Sequence, residues 1–158
     1  MSGVPLHHAA VCVSDMDRSI AFYRDGLGLA VVLDATFDGD WPTLFAAPSR
    51  RLRSVMLGDP AGAGHGLVEL VAFADADAVG TGAPSPAPTT GFFLLSFFVA
   101  LEETVGRLDA LGFGPIVRID QPAPHGSVAM ATVRDPDGVL VELIGLGPND
   151  AKPPGIPS

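Results

Sequence analysis

Cysteine is almost missing from this chain of 158 residues, with Cys12 as the single example. An intramolecular disulfide and a thiolate metal cluster are therefore both excluded. Basic residues are also scarce: 9 Lys and Arg stand against 18 Asp and Glu, which gives a formal net charge of −9. Because such a chain repels phosphates and anionic lipid surfaces, we expect no nucleic-acid partner and no membrane partner.

Long apolar runs are missing as well. The longest, Phe92–Leu101, is too short to span a bilayer and is interrupted by Ser96. The first five residues carry no basic group, so no secretory signal is predicted and a cytoplasmic location is the default expectation. The composition, 47% apolar and 17% charged, is that of a globular protein. The length fits one domain or two small modules that share a core.

The segment Asp135–Leu143 holds the most informative pattern in the chain. Its Asp-Pro-Asp-Gly start favours a tight turn, because Pro presets φ, Gly accepts positive φ and Asp can bond nearby backbone. The following aliphatic residues predict a buried strand. Glu142 lies inside this strand, where an unpaired charge carries a large desolvation cost. A solvent-facing Glu is the simpler alternative when this segment is considered alone.

The same pattern occurs earlier in the chain. Ser54–Pro60, followed by Gly66–Val71, parallels Met130–Pro136, followed by Val139–Ile144. In both places a strand ends in Asp-Pro, turns and returns as Leu-Val-Glu-Leu, which places Glu69 where the later copy has its glutamate. Two matched carboxylates in buried strands are much harder to attribute to chance than one.

The rest of the chain shows the same duplication, and each half is predicted to be a βαβββ module of an α+β fold. The predicted modules are 1–79 and 91–146, joined by a Pro/Gly-rich linker at 80–90 and followed by a loose tail at 147–158. A segment of unclear role, either an apolar loop or a short helix, is expected at 41–47. The predicted elements are strands Leu6–Val13, Leu29–Phe37, Phe92–Val99 and Pro115–Asp120, helices Met16–Asp25 and Glu102–Leu111, a Pro-rich turn after Asp120, and strand pairs around Asp59 and Asp135.

Alignment of the two halves shows two differences. His8 stands opposite Leu94, and Asp15, which is expected to cap the first helix, stands opposite Leu101. The second helix must therefore depend on the acidic residues of its first turn, which interact favourably with the helix dipole.

His8, Glu69 and Glu142 lie at equivalent places on strands of the two predicted modules. If the modules pack side by side, one imidazole and two carboxylates meet in an apolar cleft, which is a donor set suited to Zn, Fe(II), Mn, Ni or Co. A core histidine bonded to backbone is the usual explanation for a single His. Three ionisable groups on buried strands need a common partner, and this favours a metal.

These motifs resemble a known family. The segments His8–Asp15, Arg18–Asp25 and Leu27–Leu29, together with the turn and strand at 135–143, are similar to the vicinal oxygen chelate superfamily. That superfamily includes glyoxalase I, bleomycin-resistance proteins, fosfomycin-resistance enzymes, methylmalonyl-CoA epimerase and extradiol dioxygenases. The resemblance covers residues 6 to about 146, and it implies paired βαβββ modules that form an open, U-shaped cleft.

The resemblance also implies up to four metal ligands, one from the first and one from the last strand of each module. By position these are His8, Glu69, the residue at 94, and Glu142. Leu94 cannot bind a metal, so either three ligands and water hold the ion or the protein is metal-free. His65 and His125 are candidate replacement ligands, although exposed loop histidines are the more common explanation for both.

These motifs and the resemblance lead to two alternative predictions of function. The first is a glyoxalase-type enzyme, an isomerase or lyase, whose divalent metal acts as a Lewis acid on vicinal oxygens of a small substrate, with Glu69 or Glu142 as general base. Ring-opening oxygenation fits less well, because extradiol members use a second His where this chain has Leu94.

The alternative is a metal-free protein that sequesters an apolar or aromatic compound in the manner of bleomycin-resistance proteins. It would use aromatic residues to stack on a planar ligand. In this superfamily the cleft forms within one chain or between two, so a homodimer is a further expectation. The aromatic candidates are Phe37, Trp41, Phe45, Phe92, Phe93, Phe97 and Phe98.

Overall fold

The computed structural model describes residues 4–62, 64–74, 90–124 and 126–146. The chain divides into two compact units, Met1–Thr81 and Gly82–Ser158. Each unit contains one four-stranded mixed sheet and few helices, so the predicted α+β class is confirmed. The predicted tail at 147–158 and all of the predicted linker except Thr90 lie outside the described residues, so the predicted module boundaries stay a prediction.

The first unit is a βαβββ module with one short extra helix. In its sheet the strand order is β1-β4-β3-β2, with β1 and β4 parallel and the other pairs antiparallel. The short helix lies between β2 and β3, where the sequence allowed either a loop or a helix. The elements are β1 (His8–Cys12), α1 (Met16–Ile20) with a π-helical continuation (Ala21–Gly26), β2 (Ala30–Asp38), α2 (Trp41–Phe45), β3 (Arg51–Gly58) and β4 (Leu67–Phe73).

The core of the first unit lies between α1 with its continuation and one face of the sheet. The Asp15 side chain accepts a hydrogen bond from the Arg18 backbone N–H at 3.0 Å, which caps α1 as predicted. Ile20, Tyr23 and Leu27, which recur at helical spacing along this segment, are all buried. Burying each large apolar side chain stabilises the fold by about 1.5–3 kcal/mol.

In its described residues, 90–124 and 126–146, the second unit is a βαβββ module without the extra helix. Its strand order, β5-β8-β7-β6, repeats the order of the first unit, and again only the first pair is parallel. The elements are β5 (Leu95–Val99), α3 (Leu101–Ala110), β6 (Val117–Ala123), β7 (Gly126–Arg134) and β8 (Leu140–Gly145).

Three predicted strand boundaries in the second unit are wrong, one of which is the start of β6 at Val117 instead of Pro115. β5 begins at Leu95 instead of Phe92, and both Phe92 and Phe93 are exposed. β6 continues beyond Asp120 through Pro122, where the sequence predicted a Pro-rich turn. An edge strand tolerates proline because the missing N–H faces away from the ladder, and β6 is an edge strand.

The turns that precede the two glutamate strands form as the sequence predicts. The buried Asp135 accepts hydrogen bonds from the backbone N–H groups of Asp137 at 3.0 Å and Val139 at 2.8 Å. Gly138 has φ 91°, which a residue with a side chain rarely adopts. In the first unit Asp59 accepts a bond from the Ala61 N–H at 2.8 Å. Each aspartate therefore fixes the turn that leads into a glutamate strand.

Candidate functional site

Glu69 is the best-defined polar group of the first unit. Its neighbours in β4 on both sides, Val68 and Leu70, are buried, whereas the Glu69 side chain is 14% exposed. Oε2 of Glu69 lies 3.2 Å from Nε2 of His8, whose side chain is 36% exposed. The pair joins the first and the last strand of the unit, which are parallel neighbours. The carboxylate is therefore partnered, as the cost of burying a charge requires.

The other carboxylate oxygen of Glu69 is bound by a residue that the sequence did not single out. The hydroxyl of Ser54, on β3, donates a hydrogen bond to Oε1 at 2.5 Å. Ser54 is only 1% exposed. Each oxygen of the carboxylate thus has its own neighbour: a hydroxyl donor at Oε1 and an imidazole nitrogen at Oε2.

The other ring nitrogen of His8 also has a neighbour. Nδ1 of His8 lies 2.7 Å from Nδ1 of His7, and the two rings meet edge to face with centroids 5.0 Å apart. In this hydrogen bond one of the two Nδ1 atoms carries the proton and donates, and the other accepts. The contact restrains the imidazole of His8 beside Glu69.

In the second unit the carboxylate of Glu142 has a different setting. Its Oε2 accepts a hydrogen bond from the Ser96 hydroxyl at 2.7 Å, so the glutamate bonds to the adjacent parallel strand. The register places Ser96 opposite Glu142 as it places Ala10 opposite Glu69. Counting back two residues from each, Leu94 takes the position of His8, as the sequence alignment predicted. Leu94 is half-buried and offers no donor atom.

His8 and Glu69 fit a divalent metal in donor type and in spacing. Two ligands that each lie 2.0–2.2 Å from one ion are roughly 3–3.5 Å apart, and Nε2 and Oε2 are 3.2 Å apart. Among residues 4–62, 64–74, 90–124 and 126–146, no group of three His, Cys, Asp or Glu side chains is close enough to hold a metal. The predicted convergence of His8, Glu69 and Glu142 on one ion stays a prediction.

Of the two histidines that are candidate replacement ligands, His65 is among the described residues and His125 is not. His65 is an exposed residue of the turn between β3 and β4. His125 lies outside the described residues. A role for either histidine as a replacement ligand stays a prediction.

The predicted aromatic residues of the first unit lie on β2 and α2, where Phe45 is exposed and Trp41 is half-buried. The rings of Trp41 and Phe45 are stacked, with centroids 5.7 Å apart and planes 7° from parallel. An open depression of about 370 Å³ lies beside them, lined by residues of the α2 segment that include Trp41 and Leu44. Phe37, on β2, is also exposed. The stacked pair and the depression are therefore the aromatic surface to consider for a planar ligand.

The family of the chain follows from comparison with known proteins. Residues 5–143 match the model of the Glyoxalase/Bleomycin resistance protein/Dioxygenase superfamily, and the chain belongs to this family. No helix in the described part of the chain is long and apolar enough to cross a membrane.

Two curated relatives carry lyase names. The chain is 38% identical over 146 residues to the lactoylglutathione lyase-like protein terB of Aspergillus terreus, covering 88% of this chain and 74% of that protein. It is 27% identical over 140 residues to a probable lactoylglutathione lyase of Synechocystis, covering 88% and 93%. Among solved structures, a glyoxalase family protein from Bacillus cereus has the same fold, with a TM-score of 0.73 and 22% identity over 93% of this chain and 97% of that one.

Proposed function

We propose that the protein is a metal-dependent enzyme of the glyoxalase type, a lyase or isomerase that acts on a small substrate with neighbouring oxygen atoms. The observation that carries this proposal is the His8–Glu69 pair, whose nitrogen and oxygen are 3.2 Å apart. The lyase names of the two curated relatives support the reaction class.

In this proposal His8, Glu69 and Glu142 hold one divalent ion, which is Zn, Ni, Mn, Fe or Co. A bound ion of this kind supplies a Lewis acid that polarises two adjacent substrate oxygens. Leu94 leaves the fourth ligand position without a side-chain donor, and an open position is what a catalytic metal needs in order to accept substrate.

The protein side chains supply proton transfer and orientation. Glu69 or Glu142 is the general base, because each carboxylate lies between buried neighbours in its strand and each has one oxygen bound by a serine hydroxyl. In Glu142 the oxygen that the serine does not bind is left to accept a proton from the substrate, whereas Oε2 of Glu69 would first have to leave His8 and the ion. His8 contributes a nitrogen ligand and restrains Oε2 of Glu69.

Lactoylglutathione is the first substrate to test, because both curated relatives are named for its lyase. Protein purified without a chelator or a His tag should be assayed with this compound before and after metal removal. We expect activity that disappears with the metal and returns when Zn²⁺, Ni²⁺ or Co²⁺ is added. Equal turnover before and after complete metal removal would contradict the proposal.

The second candidate is a metal-free protein that binds a planar aromatic compound. The stacked Trp41–Phe45 pair and the exposed Phe37 favour it, because an exposed aromatic surface can stack on a flat ligand. Trp41→Ala separates the two candidates. It should weaken aromatic-ligand binding about tenfold or more if this surface is the binding site. It should leave metal affinity unchanged if the enzyme proposal is correct.

A further inference from the structure

We propose that Ser54 is a positioning residue that fixes the orientation of the Glu69 carboxylate, so that Oε2 alone is presented beside His8. This inference rests on the proposed function, since it states how the first unit prepares one of the three ligands. Ser54 itself touches neither substrate nor metal in this proposal, because its hydroxyl acts through Oε1 of Glu69.

The position of Ser54 supports a role beyond packing. Its side chain is 1% exposed, and the hydroxyl donates to Oε1 at 2.5 Å. Hydrogen bonds from a hydroxyl to an ionised carboxylate are shorter and about twice as strong as those between neutral groups. Ser54 lies on β3, whose backbone is fixed by ladders to β2 and β4. The donor is therefore rigid, whereas without it the terminal torsion of Glu69 is restrained by His8 alone.

The two oxygens of the Glu69 carboxylate have different partners, and this determines how the carboxylate can bind a metal. With Oε1 bound by Ser54, Glu69 can offer one oxygen, Oε2, which lies 3.2 Å from Nε2 of His8. A carboxylate held in this way acts as a monodentate ligand, and groups that orient metal ligands in proteins typically change metal affinity by about 10–100-fold when they are removed.

The second unit contains the same arrangement, built from a different strand. Ser96 on β5 donates to Oε2 of Glu142, whereas Ser54 on β3 donates to Oε1 of Glu69. The two serines do not occupy equivalent positions, because Ser96 aligns with Ala10 in the strand register. A duplicated sequence alone therefore does not explain why each glutamate has one serine donor.

The chain offers a matched control for Ser54. Ser19 is also fully buried, at 0% exposed, and among the described residues its hydroxyl has no hydrogen-bond partner. Removing the Ser19 hydroxyl tests the general effect of deleting a buried oxygen, and removing the Ser54 hydroxyl tests the bond to Glu69. Ser54→Thr is the conservative substitution, because it keeps a hydroxyl at the same place and should retain the hydrogen bond to Glu69.

The first measurement is a calorimetric titration of the metal-free proteins with Zn²⁺ and Co²⁺. Ser54→Ala should bind about 10-fold or more weakly than the wild type, and the absorption spectrum of its Co²⁺ form should change because the ligand is displaced. Ser54→Thr should recover most of the affinity, and Ser19→Ala should match the wild type. Equal affinity of the wild type and a correctly folded Ser54→Ala variant overturns the inference.

The second measurement is a crystal structure of metal-free Ser54→Ala. We expect the Glu69 carboxylate to rotate, so that Oε2 leaves the neighbourhood of His8. A carboxylate that keeps its position overturns the inference whatever the metal data show. If the wild type binds no metal but the carboxylate moves in Ser54→Ala, the proposed function fails and the positioning role of Ser54 stands.

Discussion

The two units have the same strand order and differ at the two glutamates. In the first, Glu69 is bound on both oxygens, by Ser54 and by His8. In the second, Glu142 accepts a hydrogen bond from Ser96, and the position equivalent to His8 holds Leu94. One unit thus carries an imidazole–carboxylate pair and the other a carboxylate beside an apolar residue. The duplicated fold therefore supplies two similar pairs of parallel strands. Only the pair in the first unit offers both a nitrogen and an oxygen donor, because position 8 holds His whereas the equivalent position 94 holds Leu.

The largest effect is expected from His8→Ala, which makes the first unit resemble the second. Removing the nitrogen ligand should weaken metal binding roughly 100-fold or more, which is beyond the range seen when only an orienting group is lost. The fold should remain, because His8 is at the partly exposed start of β1 and little packing is lost. Metal content measured by atomic emission, with circular dichroism as the check on folding, tests this.

His65→Ala is the matched control, because it removes an exposed histidine of a turn. It should leave the metal content of the protein as it is. If His8→Ala binds metal as the wild type does, the ion is held by other residues.

Leu94→His is the converse change, since it makes the second unit resemble the first. If the enzyme proposal is correct, the new imidazole fills the open ligand position, tightens metal binding about tenfold and lowers turnover by blocking the substrate. If the protein is a metal-free binder, the imidazole is left without a partner, which costs about 1–3 kcal/mol and weakens ligand binding. Metal titration and chemical denaturation of the variant distinguish the two outcomes.

The helices of the two units provide a third comparison. Asp15 caps α1, whereas the N-cap of α3 makes no side-chain hydrogen bond. That N-cap is Ala100, so the sequence alignment, which put Leu101 opposite Asp15, is wrong by one residue. Asp15→Ala should lower the free energy of unfolding by about 1 kcal/mol, and Ala100→Asp should raise it by a similar or smaller amount. Urea denaturation measures both changes. A stabilising Asp15→Ala would show that the cap does not contribute.

The sequence predicted the second of these helices although it has no capping residue. No capping residue stands where Asp15 stands in the first half, and Glu102 and Glu103 lie in the first turn of α3. Negative charge near a helix N-terminus partly replaces a cap by interacting with the helix dipole.

Patterns with a local physical cause were predicted best. The Asp-Pro turns, the strand that follows each turn and the equivalence of His8 with Leu94 were all visible in the sequence, because turn chemistry and strand periodicity depend on neighbouring residues. The continuation of β6 through Pro122 was missed, because whether proline fits a strand depends on where that strand lies in the sheet.

The candidate site was predicted only in part. The sequence predicted that His8, Glu69 and Glu142 share one ion. The structure places His8 and Glu69 within 3.2 Å of each other, and the convergence of all three stays a prediction. Ser54 and Ser96 were missed, since a serine in an apolar strand has no sequence signal that identifies its partner. Ser54 is 15 residues from Glu69 and Ser96 is 46 residues from Glu142, so only the strand register shows the contacts.

The smallest effect, a change in the free energy of unfolding, is expected at the edge strand β2 and its neighbour β3. The Arg53 guanidinium donates to Asp34 at 3.0 and 2.8 Å, and this hydrogen bonding holds the pKa of the Asp34 carboxyl below its usual value. In the matching pair of the second unit, β6 and β7, the strand register puts Arg118 in the position of Asp34 and Ala129 in the position of Arg53. Because the Asp34 pair is largely exposed, it should stabilise the fold by at most about 0.5 kcal/mol.

The sign of the pH dependence follows from the lowered pKa. The contribution of Asp34 is present above its unfolded-state pKa and is lost as the pH falls through the lower folded-state pKa. Asp34→Asn should therefore be slightly less stable than the wild type near neutral pH and equal to it in acid. Urea denaturation at several pH values measures the difference, which 1 M salt should reduce further. A difference that grows in acid would contradict this assignment.

The most direct test of the central claim is the metal content of the protein purified without chelator or His tag, compared with that of Glu142→Ala. The claim is that both units contribute ligands to one ion. We predict about one divalent ion per chain in the wild type, and a loss of most of it in Glu142→Ala although the His8–Glu69 pair remains. Full metal content in a folded Glu142→Ala variant, or no binding to the wild type at micromolar metal, would contradict the claim.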